Sequence, residues 1–151
     1  MRIIIDNLAG PEVKALLADH LQSMADHSPP DCVHALDREK LRAPDITFWS
    51  VWGDDELLGC GALKELDPSH GEIKSMRTAA VRLGKGVGSA LVRHIVATAT
   101  ERGYERLSLE TGSGAAFEPA HSLYLKFGFE FCGPFGDYAP GSFSRFMTLR
   151  L

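Results

Sequence analysis

Cysteine is scarce in this chain. Cys32, Cys60 and Cys132 are an odd number with no C-x-x-C spacing, which excludes a disulfide framework and points to reduced thiols and a cytoplasmic location. No apolar run approaches the roughly 18 residues that a membrane-spanning helix needs, and no membrane partner is expected. The opening segment MRIIIDNLAG lacks the long apolar stretch and small-residue cleavage site of a signal peptide. The six histidines contain no H-E-x-x-H and no pair spaced i, i+4, so no metal site is expected. Positive charge is not in excess: 16 basic against 20 acidic residues give a formal charge of −4. A nucleic-acid binder generally needs a basic face, so nucleic acid is not an expected partner. Internal repeats and interdomain linkers are also missing. The 151 residues, 44% hydrophobic and 24% charged, fit one domain over 1–151 with a sizeable core.

The apolar pattern gives the elements. Arg2–Ile5 is a short β-branched run. Val13, Leu16, Leu17, His20, Leu21 and Met24 recur at helical spacing, which predicts an amphipathic helix from Pro11 to about Asp26. Ser28-Pro29-Pro30 stops it, and Cys32–Leu41 is assigned one more short helix. Ile46–Trp52 and Leu57–Leu66 flank the turn residues Gly53-Asp54-Asp55-Glu56 and read as a hairpin. Glu72–Thr78 is a third strand of the meander. A helix then runs from Val87 to Glu101, followed by a strand at Leu107–Glu110 and a helix from Ala115 to about Phe127. Two final strands, Phe129–Cys132 and Phe143–Leu151, flank a Pro/Gly-rich loop. The order β-α-α-β-β-β-α-β-α-β-β implies an α/β (α+β) mixed sheet with helices on its faces.

One loop carries recognisable chemistry. In Leu83-Gly84-Lys85-Gly86-Val87-Gly88-Ser89, three glycines alternate just before a helix. Glycine leaves backbone N–H groups unshielded, and the helix start adds orphan N–H groups and partial positive charge. Together they make a cradle for an anion such as pyrophosphate. Two other phosphate loops fail on residue identity. The G-x-x-x-x-G-K-[ST] pattern would need glycine where Ala79 stands and Ser or Thr where Gly86 stands. The G-x-G-x-x-G pattern begun at Gly86-Val87-Gly88 would need glycine at Leu91.

The loop resembles motif A of the GCN5-related N-acetyltransferases (GNAT), Q/R-x-x-G-x-G/A, over Leu83–Gly88. Glu72–Thr78 resembles the strand that precedes it in the family. Ala120-His121-Ser122-Leu123-Tyr124-Leu125-Lys126-Phe127-Gly128-Phe129 resembles the A-x-x-L-Y-x-K-x-G-F motif B. The segment order agrees over nearly the whole chain. Leu83 stands where the family usually has Arg or Gln, with Arg82 adjacent, and Phe117 where motif B often has Asn. The resemblance implies a GNAT-like acyl-CoA N-acyltransferase fold, a central mostly antiparallel sheet flanked by helices. It implies transfer of an acetyl group from acetyl-CoA to a primary amine by direct attack, with no metal.

By the same resemblance, Gly84, Lys85, Gly86, Val87, Gly88 and Ser89 would hold the pyrophosphate. The backbone of Met76, Arg77 and Thr78 would pair with the pantetheine arm, with an N–H near Met76 facing the thioester oxygen. Glu72 is the first candidate base, with Glu110 on the next strand the second. Tyr124 matches the tyrosine that protonates the departing thiolate. On the acceptor side, the segment from Ser28 to Asp37 occupies the family's variable substrate region. His34, Trp49 and Glu110 are candidate substrate contacts. Trp49 and Trp52, three residues apart on a strand, are expected on opposite faces. Arg77 is a candidate partner for a substrate carboxylate, and His121 is expected to face solvent. A small-molecule amine is the expected acceptor, and a homodimer is compatible with this reading. The rival readings are a CoA-binding module without transferase activity and a protein N-acetyltransferase.

Overall fold

Alternation of side chains along the strands separates two apolar faces, and the helices cover both. The computed structural model describes residues 1–34 and 36–151. Its strands are β1 (Arg2–Ile5), β2 (Ile46–Gly53), β3 (Glu56–Asp67), β4 (His70–Thr78), β5 (Arg106–Thr111), β6 (Glu130–Cys132) and β7 (Arg145–Arg150). The α-helices are α1 (Pro11–His27), α2 (Val87–Glu101) and α3 (Glu118–Lys126). One sheet takes the order β1-β2-β3-β4-β5-β7-β6. Every neighbouring pair is antiparallel except β4 with β5, so α2 serves as the crossover between those two parallel strands.

On one face, α1 buries Val13, Leu16 and Leu17 against Phe48, Leu57, Cys60 and Ala62. On the other, α2 buries Leu91, Val92, Ile95 and Ala99 against Trp49, Leu63, Ile73, Leu107 and Leu109. Adjacent residues Phe48 and Trp49 therefore belong to different cores. Trp49 and Trp52 also fall on opposite faces, as their spacing requires. Pro119 sits in the first turn of α3, where its missing N–H costs nothing. Among the described residues of Cys32–Leu41, the expected short helix is absent. Two 3₁₀ turns, Pro30–Cys32 and Lys40–Arg42, lie at its ends. Asp37 caps the second turn by accepting from the Lys40 N–H at 2.9 Å, a local bond that competes with helix. Ala35, inside that span, lies outside the described residues.

Two features of β4 shape the centre of the molecule. First, its register with β3 slips: Cys60 pairs with Arg77 but Ala62 pairs with Lys74, so Gly61 alone faces Ser75 and Met76. This is a β-bulge. Ser75 takes the left-handed conformation, φ 55°. A Cβ at Gly61 would stand 2.5 Å from Met76 Sδ, so the glycine makes room for the displaced strand. Second, β4 and β5 pair only from His70↔Arg106 to Glu72↔Ser108. Beyond that the strands part, and the backbone of β4 after Glu72 has no strand partner on its β5 side.

The bulge gives a stability prediction. Ser75→Val places a β-branched residue at positive φ and should cost about 1–3 kcal/mol, whereas Ser75→Gly relieves the strain and should cost nothing or stabilise. Denaturant unfolding of the two variants measures the difference. Equal losses would mean that the left-handed conformation is not what position 75 requires.

Candidate active site

The parting of β4 and β5 opens a cleft of about 530 Å³ that reaches both faces of the sheet. On the α2 side it meets the glycine loop. Gly84 and Gly86 have φ of 77° and 85°, conformations that side-chain-bearing residues avoid. No atom lies within 4 Å of where a Cβ would stand at either one, so the loop presents open backbone. Gly86 is the N-cap of α2, and the first N–H groups of the helix follow it. Gly88 serves differently: a Cβ there would approach Leu123 Cδ2 to 3.1 Å, so its smallness lets α2 and α3 pack closely. Lys126 on α3 donates to Ser89 Oγ at 3.3 Å and brings a cation to the helix start. These residues fit an anionic, phosphate-bearing group at this end of the cleft.

The opposite face holds the ionisable groups. Leu107 and Leu109 point into the α2 core, so Ser108 and Glu110 point the other way, toward α1. On β4, Glu72 and Lys74 share that face. Glu72 is 3% exposed, not the solvent-facing carboxylate common on a strand. Its Oε2 accepts from the Tyr138 hydroxyl at 2.6 Å and from Lys74 Nζ at 3.2 Å, and Lys74 also donates to Tyr138 at 2.9 Å. That closed triangle compensates the buried carboxylate. Glu110 is less tied down. Burial pushes its carboxyl up to about 7 against opposing pulls from Ser144 and Lys74, so it exchanges a proton near neutral pH. The His34 ring meets Tyr138 edge-on at 5.1 Å.

Across the cleft, Tyr124 projects from α3 into the α2 core, 5% exposed and T-shaped against Phe129 at 5.4 Å. Burial raises its hydroxyl above the ordinary tyrosine value, so it stays protonated. Tyr124 lines the cleft together with Met76, Arg77, Thr78, Gly84 and Gly86.

Most residues singled out from the sequence thus border one space. Glu72, Met76, Arg77, Thr78, Gly84, Gly86, Val87, Gly88, Ser89, Glu110, Tyr124 and His34 all line it. Two do not. Trp49 is a core residue, 3% exposed and packed edge-on against His94 at 5.3 Å on the α2 side, and it does not line the cleft. Lys85 points to a separate shallow depression beside Asp54, Asp55 and Glu56, because the left-handed glycines on either side turn it outward. His121, expected in solvent, is half-buried: its Nε2 lies 2.6 Å from Thr111 Oγ1 and 3.0 Å from Gly112 O. Tyr138 was not legible as a site residue, since it comes from the irregular loop before β7. His20, part of an apolar helix stripe in the sequence, also lines the cleft, 6% exposed.

His20 carries a pH prediction. Burial, aided by the Arg77 charge, lowers its imidazole to about 4, below the ordinary value near 6.5. The unfolded chain therefore takes up a proton that the folded one refuses. Stability should be unaffected by this group above pH 6.5 and should fall as pH drops from 6.5 toward 4, by at most about 3 kcal/mol. Denaturant unfolding at pH 7.5 and 4.5 checks this: the loss between the two should be smaller in His20→Gln than in wild type. An equal loss would show that His20 is charged in the fold.

Similarity to known proteins agrees with this architecture. The profile of the Acetyltransferase (GNAT) family matches residues 13–129. The chain is 60% identical over 151 residues to the uncharacterized N-acetyltransferase YsnE of Bacillus subtilis (strain 168), covering 100% of both chains. It is 53% identical over 146 residues to the uncharacterized N-acetyltransferase YedL of Escherichia coli (strain K12), covering 97% of this chain and 92% of that one. Among solved structures, an acetyltransferase of Bacillus subtilis in complex with CoA superposes with a TM-score of 0.73 at 22% identity, over 99% of this chain and 98% of that one. With a mixed sheet parted between β4 and β5, a glycine loop at the start of α2 and a family match over most of its length, the chain belongs to the GNAT family of acetyltransferases.

Proposed function

We propose that this acetyltransferase moves the acetyl group of acetyl-CoA to the primary amine of a small molecule, by direct attack within the cleft between β4 and β5. The observation that carries this reading is the pairing of a titrating carboxyl and a protonated hydroxyl on opposite faces of the same opening. Glu110 faces the α1 side and Tyr124 the α3 side, with Met76, Arg77 and Thr78 between them. The glycine loop and the start of α2 take the pyrophosphate. The β4 backbone after the bulge pairs with the pantetheine arm as an added strand would, which brings the thioester to the point where the strands part. An N–H near Met76 faces the thioester oxygen and stabilises its developing negative charge.

The acceptor amine arrives as an ammonium and must lose a proton before its lone pair can attack. Glu110 suits this task better than Glu72. Glu72 is neutralised by Lys74 and Tyr138, whereas a base works best with a pKa near the operating pH. The amine nitrogen bonds to the acetyl carbon, the carbon–sulfur bond breaks, and the thiolate takes the proton from Tyr124; the second proton, lost from the nitrogen as the amide forms, returns through water to the Tyr124 oxygen. Glu72 acts through Tyr138 and Lys74, holding the acceptor wall in place. A small acceptor fits because the α1 side of the cleft is walled by α1, Cys32–His34 and Tyr138.

Thiol release from acetyl-CoA, with amines supplied, tests the reading and separates it from a CoA-binding module without transferase activity. No release with any amine or N-terminal peptide would leave only binding, and release with peptides alone would shift the acceptor to protein. Two variants test the roles. The kcat/KM of wild type should fall as pH drops below about 7, and Glu110→Gln should lose that limb with a fall of about 10²-fold or more at pH 8. Tyr124→Phe keeps the ring and its packing, so turnover should drop by about 10²-fold while acetyl-CoA affinity and melting temperature hold. Wild-type turnover in Tyr124→Phe, measured where chemistry limits the rate, would return Tyr124 to a packing role.

A further inference from the structure

Among the polar groups on the α1 side of the cleft that the acetyl-transfer chemistry does not use, His20 and Arg77 each carry a buried nitrogen without a partner. His20 lies in the third turn of α1 and is 6% exposed, and its Nδ1 has no hydrogen-bond partner among the described residues. Arg77 follows the bulge on β4, and its buried Nε is also without a partner. No carboxylate of the described residues lies within 4.0 Å of its guanidinium; the ion pairs formed are Arg42–Glu39, Lys74–Glu72 and Arg82–Glu56. Both side chains line the cleft.

A buried guanidinium Nε and a buried imidazole Nδ1 without partners, on a half-buried arginine and a buried histidine of one wall, are costly unless something else completes them. Their neighbours do not. Cys60, on the adjacent strand, is committed to Ser75 O at 3.5 Å, and Met24, one helical turn beyond His20, is apolar. The two acidic groups on this face are accounted for: Glu72 is neutralised by Lys74, and Glu110 is reserved for the amine. What the wall lacks is an acceptor of hydrogen bonds carrying negative charge. The Arg fork matches a carboxylate in shape as well as charge, and a neutral imidazole supplies one more N–H.

We propose that Arg77 and His20 form a carboxylate-binding subsite, and that the acceptor is a small amino carboxylate whose amine is directed toward Glu110. The subsite rests on the acetyl-transfer reading and narrows its substrate class. The bulge makes it: one added residue at Ser75–Met76 turns Met76 to the α2 core and Arg77 to the α1 face. Met24 and Val33 border the same space, so an amino acid with an apolar side chain satisfies the wall best.

The test compares acceptors that differ only in the carboxylate. Phenylalanine, methionine, leucine, β-alanine and 4-aminobutyrate are each assayed against their primary amides, with thiol release as the readout. Wild type should favour at least one acid over its amide by about 50-fold or more in kcat/KM, through KM. In Arg77→Gln that ratio should collapse to within about 3-fold, and in His20→Gln it should shrink by about 5- to 10-fold. Arg77→Lys keeps the charge but not the fork and should retain an intermediate ratio. Melting temperature and acetyl-CoA affinity of each variant, measured separately, establish that the fold and the CoA end are intact. If wild type acetylates amides as well as acids, or if Arg77→Gln lowers acid and amide turnover equally, the subsite is wrong while the acetyl-transfer reading stands. If wild type binds acetyl-CoA and releases thiol with none of these amines, the subsite is wrong, and the acetyl-transfer reading falls with it when the wider amine and peptide panel is silent too. A phenylalanine-dependent rise in the melting temperature of the acetyl-CoA complex, lost in Arg77→Gln, would support the subsite independently of turnover.

Discussion

The parting of β4 from β5 is the constraint on which the rest of the structure depends. Two parallel strands that pair for three residues and then separate leave backbone donors and acceptors without strand partners. In a closed core that would be a heavy cost. Here it is tolerated because the gap is a cleft, open to water and ligand. The bulge at Ser75 supports the separation by shifting the β4 register against β3. Strain at Ser75 and the missing side chain at Gly61 are its local costs, offset by the two cores that hold β3 and β4 from either face.

The same break in the sheet separates opposing chemical tasks. In the proposed mechanism a carboxyl takes a proton while a hydroxyl holds its own until the thiolate departs, so the two groups must be kept apart. Sheet alternation resolves this by sending Glu110 to the α1 face and leaving Tyr124 on the α3 side. Burial raises both groups, with different results: a carboxyl moved up to about 7 becomes a usable base, while a raised tyrosine remains an acid. The phosphate end works by another means. In the proposed function it would rely on backbone N–H groups and the α2 start, a cradle that uses no side chain at position 83, where Leu83 stands exposed.

Much of the fold was legible because its signals are local. The stripe from Val13 to Met24 gave α1, the alternating Leu107 and Leu109 gave β5, and the glycines before Val87 gave the loop and the start of α2. The region after Pro30 was misread, since Asp37 stabilises a turn by a side-chain bond that a periodicity count does not see. The place of Trp49 is not legible for a different reason. Period-two spacing says that Trp49 and Trp52 face opposite ways, but not which face holds the site; the packing of α2 decided that.

By itself, the sequence determined the element order apart from the segment after Pro30, the glycine loop and the two motifs that identify the family, because each depends on residues close together in the chain. Only the tertiary structure decided which groups meet. Tyr138 reaches Glu72 across 66 residues and neutralises the first candidate base. Glu110 is pushed up to about 7 through burial, which no neighbouring residue encodes. His20 and Arg77 come from a helix and a strand 57 positions apart in numbering, and they share a wall because one bulge turns Arg77 toward α1. Side-chain chemistry is written in the chain, but proximity and solvent exclusion arise from packing at long range, and those two quantities set the charge and the partners of every group in the cleft.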